Sequence, residues 1–177
     1  MVQCLYLFMF DTMRYLKWKT MLAAILLLSV GFANKTRAQQ KFNKAAFYNV
    51  MDTSNVAGID AELSVVKASS LADADGYEGA LLMRKAGKVS GAKKKLDLFK
   101  AGRIKLETAI IADPDNTEFR FLRLAIEENA PKIVKYHNDI EKDKLMVLKN
   151  YKILPPSVQH AIINYAKKSK VLHESDF

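Results

Sequence analysis

The chain has 177 residues, half of them hydrophobic and 27% charged, with 28 Lys/Arg against 19 Asp/Glu for a formal charge of +9. One cysteine, Cys4, excludes an intrachain disulfide and any cluster of thiolate metal ligands. The basic excess invites a nucleic-acid reading, which the distribution of charge along the chain weakens.

Residues 13–38 have the three parts of a cleavable secretory signal peptide. Arg14, Lys17 and Lys19 form a basic start, and residues 21–33 (MLAAILLLSVGFA) form an uncharged apolar core. Small residues then offer cleavage after Ala33 or, preferably, after Ala38. Thirteen residues rise only about 20 Å as a helix, short of the roughly 20 residues a bilayer span needs; an uncleaved anchor is the alternative. Residues 1–12 place a second apolar run ahead of the basic segment, where signal peptides carry none, so Met13 reads as the true start. Cleavage would remove Cys4, and with it any thiol nucleophile or lipid-anchored cysteine. The product is expected in the periplasm or outside the cell. Residues 1–38 carry five Lys/Arg and one acid, so the chain from Gln39 has 23 basic and 18 acidic side chains, a balance of +5. That charge suits solubility or loose attraction to anionic envelope polymers.

The 139 residues from Gln39 have the size of one domain and read as helices throughout. A first helix is expected over 41–51, with Phe42, Ala46 and Phe47 apolar. The Ser54-Asn55 pair caps a second that runs to 67 and carries Ile59, Leu63 and Val66 on one face. A third spans 71–86, started by Asp73 or Asp75 and ended by Gly87. After the 87–91 loop a long fourth covers 92–112, and Asp113-Pro114-Asp115-Asn116 stops it and caps a fifth over 117–129. A sixth is expected over 138–151, and Ser157, after Pro155-Pro156, opens a seventh to 169. The last few residues should fray.

In the fourth helix Leu98, Phe99, Gly102, Leu106, Ala109 and Ile110 fall in one arc about 120° wide. Ile104 and Ile111 form a second apolar stripe, which predicts packing from two directions. Gly102 costs about 1 kcal/mol of helix propensity relative to Ala, so it marks a place where a neighbouring helix comes close. Gly102, Leu106, Ala109 and Pro114 also stand at the spacing of the second half of a tetratricopeptide repeat. The likeness covers about 20 residues. The first-half signature is missing, and Arg120 and Arg123 fall where a following repeat would place large apolar residues. The chain from Gln39 resembles an uncharacterised exported α-helical, degenerate TPR-like family of Bacteroidota, and the Ala38-Gln39 junction resembles processing sites in the same group. The resemblance implies a fold and no chemistry: an all-α array of about six to seven short helices in antiparallel hairpins.

The fifth helix is apolar over most of its circumference, and its one polar strip holds Arg120, Arg123 and Glu127. A poorly solvated guanidinium needs a partner. Glu127 stands four residues after Arg123 and can pair with it; Asp143, on the inward stripe of helix six with Ile140, Val147 and Tyr151, is the other candidate. The four form either an arginine clamp for a ligand carboxylate or phosphate or an internal ion-pair network. The second reading is preferred, because the sequence already supplies enough carboxylates. An enzymatic role would require Arg120, Arg123 and Asp143 to line an open cleft.

No metal, cofactor or catalytic site is expected. His137, His160 and His173 lack metal-binding spacing, nucleotide and nucleophile motifs do not occur, and the carboxylate pairs Glu127/Glu128 and Glu141/Asp143 are weak signals. The expected function is an exported, non-catalytic interaction or scaffold module presenting a shallow groove to a peptide or protein partner, with no nucleic acid. The alternative is an envelope-associated protein whose lysines (Lys93 to Lys95, Lys132, Lys135, Lys167, Lys168, Lys170) touch anionic lipid or polysaccharide.

Overall fold

A computed structural model describes residues 41–53 and 55–177, within one compact unit, Gln39–Phe177. The signal segment, its cleavage sites and Ser54 lie outside the described residues. Seven α-helices follow in order: α1 Lys44–Thr53, α2 Val56–Ala68, α3 Ala74–Ala86, α4 Ala92–Ala112, α5 Thr117–Asn129, α6 Ile140–Asn150 and α7 Pro156–Ala166. Short 3-10 turns occupy Lys132–Val134, Tyr151–Ile153 and Glu174–Asp176, and no strand occurs among the described residues. The fold is an all-α array.

Caps set several boundaries. The Ala46 amide donates to Asn43 Oδ1 at 3.0 Å, so α1 begins at Lys44 rather than 41. Asn55 Oδ1 accepts from the Gly58 amide at 3.0 Å, and Asn116 Oδ1 from the Phe119 amide at 3.1 Å, which starts α2 and α5 where their sequences predict. Helix α3 starts at Ala74, not 71, and α6 at Ile140, not 138. Proline is suited to a first helical position, where its missing N–H has no partner to lose, so α7 starts at Pro156 and not Ser157.

Beyond Ala166 the chain does not fray. Leu172 is fully buried, and the Phe177 ring lies 4.5 Å from that of Tyr151. The Ser169 hydroxyl donates to Glu128 Oε2 at 2.6 Å, and the Lys170 amide donates to Glu128 Oε1. His173 and Asp176 cap the final turn reciprocally. The expectation of a loose tail fails because Leu172 and Phe177 have apolar places to go and Glu128 supplies acceptors.

Helices α3 and α4 pack most closely, and two glycines explain how. A Cβ added at Gly102 would stand 2.6 Å from the Gly79 carbonyl oxygen, and one added at Gly79 would stand 2.6 Å from the Leu106 amide nitrogen. The backbones therefore approach as Gly102 predicts, and Gly79 is its counterpart. The second stripe of α4 does not pack. Ile104 and Ile111 are 67% and 75% exposed. Tyr77 joins the helices further along, its ring 5.0 Å from Phe47 and 5.2 Å from Phe119.

The array closes on itself. Helix α1 packs against α2 and also against α7, while α5 touches α3, α4, α6 and α7. In an open stack each hairpin meets only its neighbours; here the first and last described helices meet. That closure creates the space described below.

Candidate functional site

Two polar regions stand out, and the four predicted residues make up one of them. Arg120, Arg123, Glu127 and Asp143 are all buried and lie together between α5 and α6. Asp143 Oδ1 accepts from Arg120 Nη1 at 3.0 Å and from Arg123 Nη2 at 2.8 Å, and its Oδ2 accepts from Arg123 Nε at 2.7 Å. Arg120 Nε donates to the Pro114 carbonyl at 2.8 Å. Arg123 Nη1 reaches Glu107 Oε2 at 2.9 Å, and Asp139 Oδ1 stands 3.3 Å from Nη2. Burial alone would lower the Arg123 pKa, but the hydrogen bonds and charge of Asp143, with Glu107 and Asp139, hold it above the ordinary range.

Glu127 is not the ion-pair partner of Arg123. The Arg123 donors are directed to α6, its cap and α4, and Glu127 Oε2 instead accepts from the Asp139 amide at 3.1 Å at the entry to α6. Burial raises the Glu127 pKa, and the Asp139 amide and the Arg123 charge lower it only in part. Its neighbour Glu128 holds the tail and accepts from the Tyr165 hydroxyl at 2.6 Å. Both members of that carboxylate pair are thus taken up by backbone and hydroxyl donors. Glu107 and Asp139 complete the cluster without a local sequence signal, since each acts across elements.

The geometry is that of an internal lock. Two guanidinium groups face three carboxylates, with a fourth adjacent, so an incoming carboxylate or phosphate would meet anions already in place. Arg120, Arg123 and Asp143 are buried and held by one another, by Glu107 and Asp139, and by the Pro114 carbonyl.

The second region is open. A cavity of about 1140 Å³ lies between α1, α3, α4, α5 and α7, with segment 130–134 at its edge. Binding clefts for small organic ligands are typically about 300–1,000 Å³ and mostly apolar. Met51, Leu96, Phe99, Phe121, Leu122 and Ile126 supply apolar wall, with the small side chains of Ala125 and Ala161 also in the lining. Phe121 and Leu122 are core residues of α5, as their sequence predicts, and Ile126 packs against that core; that they also border a cavity is something no periodicity shows.

Charge in the cavity lining is one-sided. Arg84, Lys95 and Lys168 contribute cations and Asp52 is the sole acid. Asp52 pairs with Lys168, and its carbonyl accepts from Arg84 Nη2 at 2.8 Å. Arg84 Nε is buried without a hydrogen-bond partner among the described residues. Neither Arg84 nor Lys95 makes an ion pair among the described residues. His160 also lines the cavity, with Nε2 3.3 Å from Asn164 Nδ2; His173 is a cap.

No known protein family, curated protein or solved structure matches the chain. No described helix is long and apolar enough to cross a membrane.

Proposed function

We propose that the chain is an exported, non-catalytic helical binding module, periplasmic or secreted after cleavage of a signal peptide near Ala38, whose binding surface is the cavity between α1, α3, α4, α5 and α7. The observation that carries this reading is the cavity itself: about 1140 Å³ of mostly apolar-walled space, with Ala125 and Ala161 in its lining. Filling that space with side chains would stabilise the protein, since buried apolar surface is worth roughly 25 cal/mol per Å²; a cavity left open at that cost fits a binding role. The α3/α4 hairpin, with its TPR-like Gly102, Leu106, Ala109 and Pro114, also fits a module of this kind.

The test is titration of the purified protein with 1-anilinonaphthalene-8-sulfonate, an aromatic sulfonate whose fluorescence rises in apolar surroundings. One saturable site per chain is expected, abolished by Ala125→Trp with the helical circular dichroism unchanged. A folded Ala125→Trp variant that binds as the parent does would overturn the reading.

A second reading keeps the envelope association. Lys93, Lys94, Lys95, Lys132, Lys135, Lys167 and Lys170 are exposed and make no ion pair among the described residues. Co-sedimentation with anionic vesicles should then collapse between about 50 and 200 mM salt, as screening shortens the reach of surface charge. Salt-insensitive co-sedimentation would contradict it.

A further inference from the structure

The cavity has a chemical polarity. Its walls are apolar and its unpaired charges are cationic, concentrated where the end of α3 meets the start of α4. Arg84 closes α3 and Lys95 stands in the first turn of α4, so the two cations flank the loop that joins the hairpin. Arg84 lines the cavity there, and a guanidinium presents five N–H donors in a fixed fork suited to a carboxylate or phosphate. Among the described residues it makes one hydrogen bond, to the Asp52 carbonyl. Asp52, the sole acid of the lining, is paired with Lys168. A single anionic group at this end would meet two unpaired cations and no unpaired acid.

The remaining lining restricts the other end of the ligand. An extended peptide would bring a backbone N–H and C=O with every residue, each needing a partner once buried. Three polar side chains of the wall are already engaged: Asn129 Nδ2 with the Ala125 carbonyl and the Tyr165 hydroxyl, Tyr165 with Glu128, Tyr48 with Glu118. An alkyl chain asks for no such partners and fits a wall of Met51, Leu96, Phe99, Phe121, Leu122 and Ile126.

Resting on the reading of this cavity as the binding surface, we propose that its ligand is an anionic amphiphile: an acyl chain lying between α1, α5 and α7, with a carboxylate head held by Arg84 and Lys95.

The experiment is displacement of 11-(dansylamino)undecanoic acid from the purified protein by three twelve-carbon competitors: dodecanoate, dodecanol and dodecyltrimethylammonium. Dodecanoate should compete at least tenfold better than either of the others, which is the scale of one charge-assisted hydrogen bond. Arg84→Gln and Lys95→Gln should each reduce that preference severalfold while leaving dodecanol unchanged. Lys95 is exposed, so its variant folds even if loss of the Arg84–Asp52 contact disturbs α1. Ala125→Trp should abolish binding of all three. Equal competition by all three would overturn the proposal and leave the cavity reading standing, whereas no displaceable dye, together with no binding of the naphthalene sulfonate, would end both. A ligand-free dimer in light scattering that Ala125→Trp converts to monomer would assign the cavity to a second copy of the chain and also overturn the proposal.

Discussion

The two polar regions of this protein hold their cations in opposite ways. Between α5 and α6, Arg120 and Arg123 are buried and their donors are met by Asp143, Glu107, Asp139 and the Pro114 carbonyl. At the cavity, Arg84 and Lys95 belong to the lining and pair with no carboxylate among the described residues. The first arrangement is self-satisfied and binds helices together; the second is incomplete within the chain. Buried arginines are therefore a poor guide to a ligand here. What separates the two is whether the sequence has supplied the counter-charge within reach.

Removing the shared acceptor should separate the regions most strongly. Asp143→Ala leaves two buried guanidinium groups without their common partner, and loss of about 3–5 kcal/mol of stability is expected in denaturant unfolding. A loss below about 1 kcal/mol would show that the cluster is solvated and no lock. Gly102→Ala should cost about 1–3 kcal/mol through overpacking, because the new Cβ meets two backbone atoms, the Gly79 carbonyl oxygen and the Met83 nitrogen, besides the Met83 side chain. The gain of about 1 kcal/mol in helix propensity offsets only part of that. A thermal melt that rises would show that α3 and α4 do not approach as described.

Filling the open region should behave differently. Ala125→Trp adds volume to unfilled space, so stability should stay within about 1 kcal/mol of the parent while dye binding is lost. A loss near that of Asp143→Ala would make the cavity wall a packed core. The smallest effect concerns Glu127. Burial raises its pKa in the folded state, so the fold favours the protonated acid. Stability then falls as pH rises from the unfolded value near 4.3 through the raised folded value, and is level above it. Glu127→Gln removes that slope and should be the more stable protein at neutral pH, its Oε1 still accepting from the Asp139 amide. An unchanged slope in pH-dependent unfolding would assign it to other groups.

Much of the fold is legible in the sequence because its signals are local. Asn55, Asn116, Gly87 and Pro131 punctuate the helices within a residue or two of where they lie, and Gly102 announces a close approach before its partner Gly79 is known. The ion cluster is half legible: Arg120, Arg123 and Asp143 follow from helical periodicity, while Glu107 and Asp139 join from other elements. Glu127 shows the limit of spacing, since four residues permit a pair with Arg123 that the better-placed Asp143 takes instead. The tail and the cavity are not legible for a common reason. Both depend on which distant helices meet, α1 with α7 and Tyr151 with Phe177, and apolar residues such as Leu172 and Phe121 carry no mark of the partner they face.

The division between a closed cluster and an open site is tested most directly by chemical-shift mapping of the ¹⁵N-labelled protein with dodecanoate. Saturable shifts are expected at the amides of Leu96, Phe121, Ala125 and Ala161 and at the side-chain Nε of Arg84, with the Nε signals of Arg120 and Arg123 unmoved. Shifts centred on Arg120 and Arg123, with Ala125 and Ala161 unchanged, would contradict it and return the ligand site to the buried arginines.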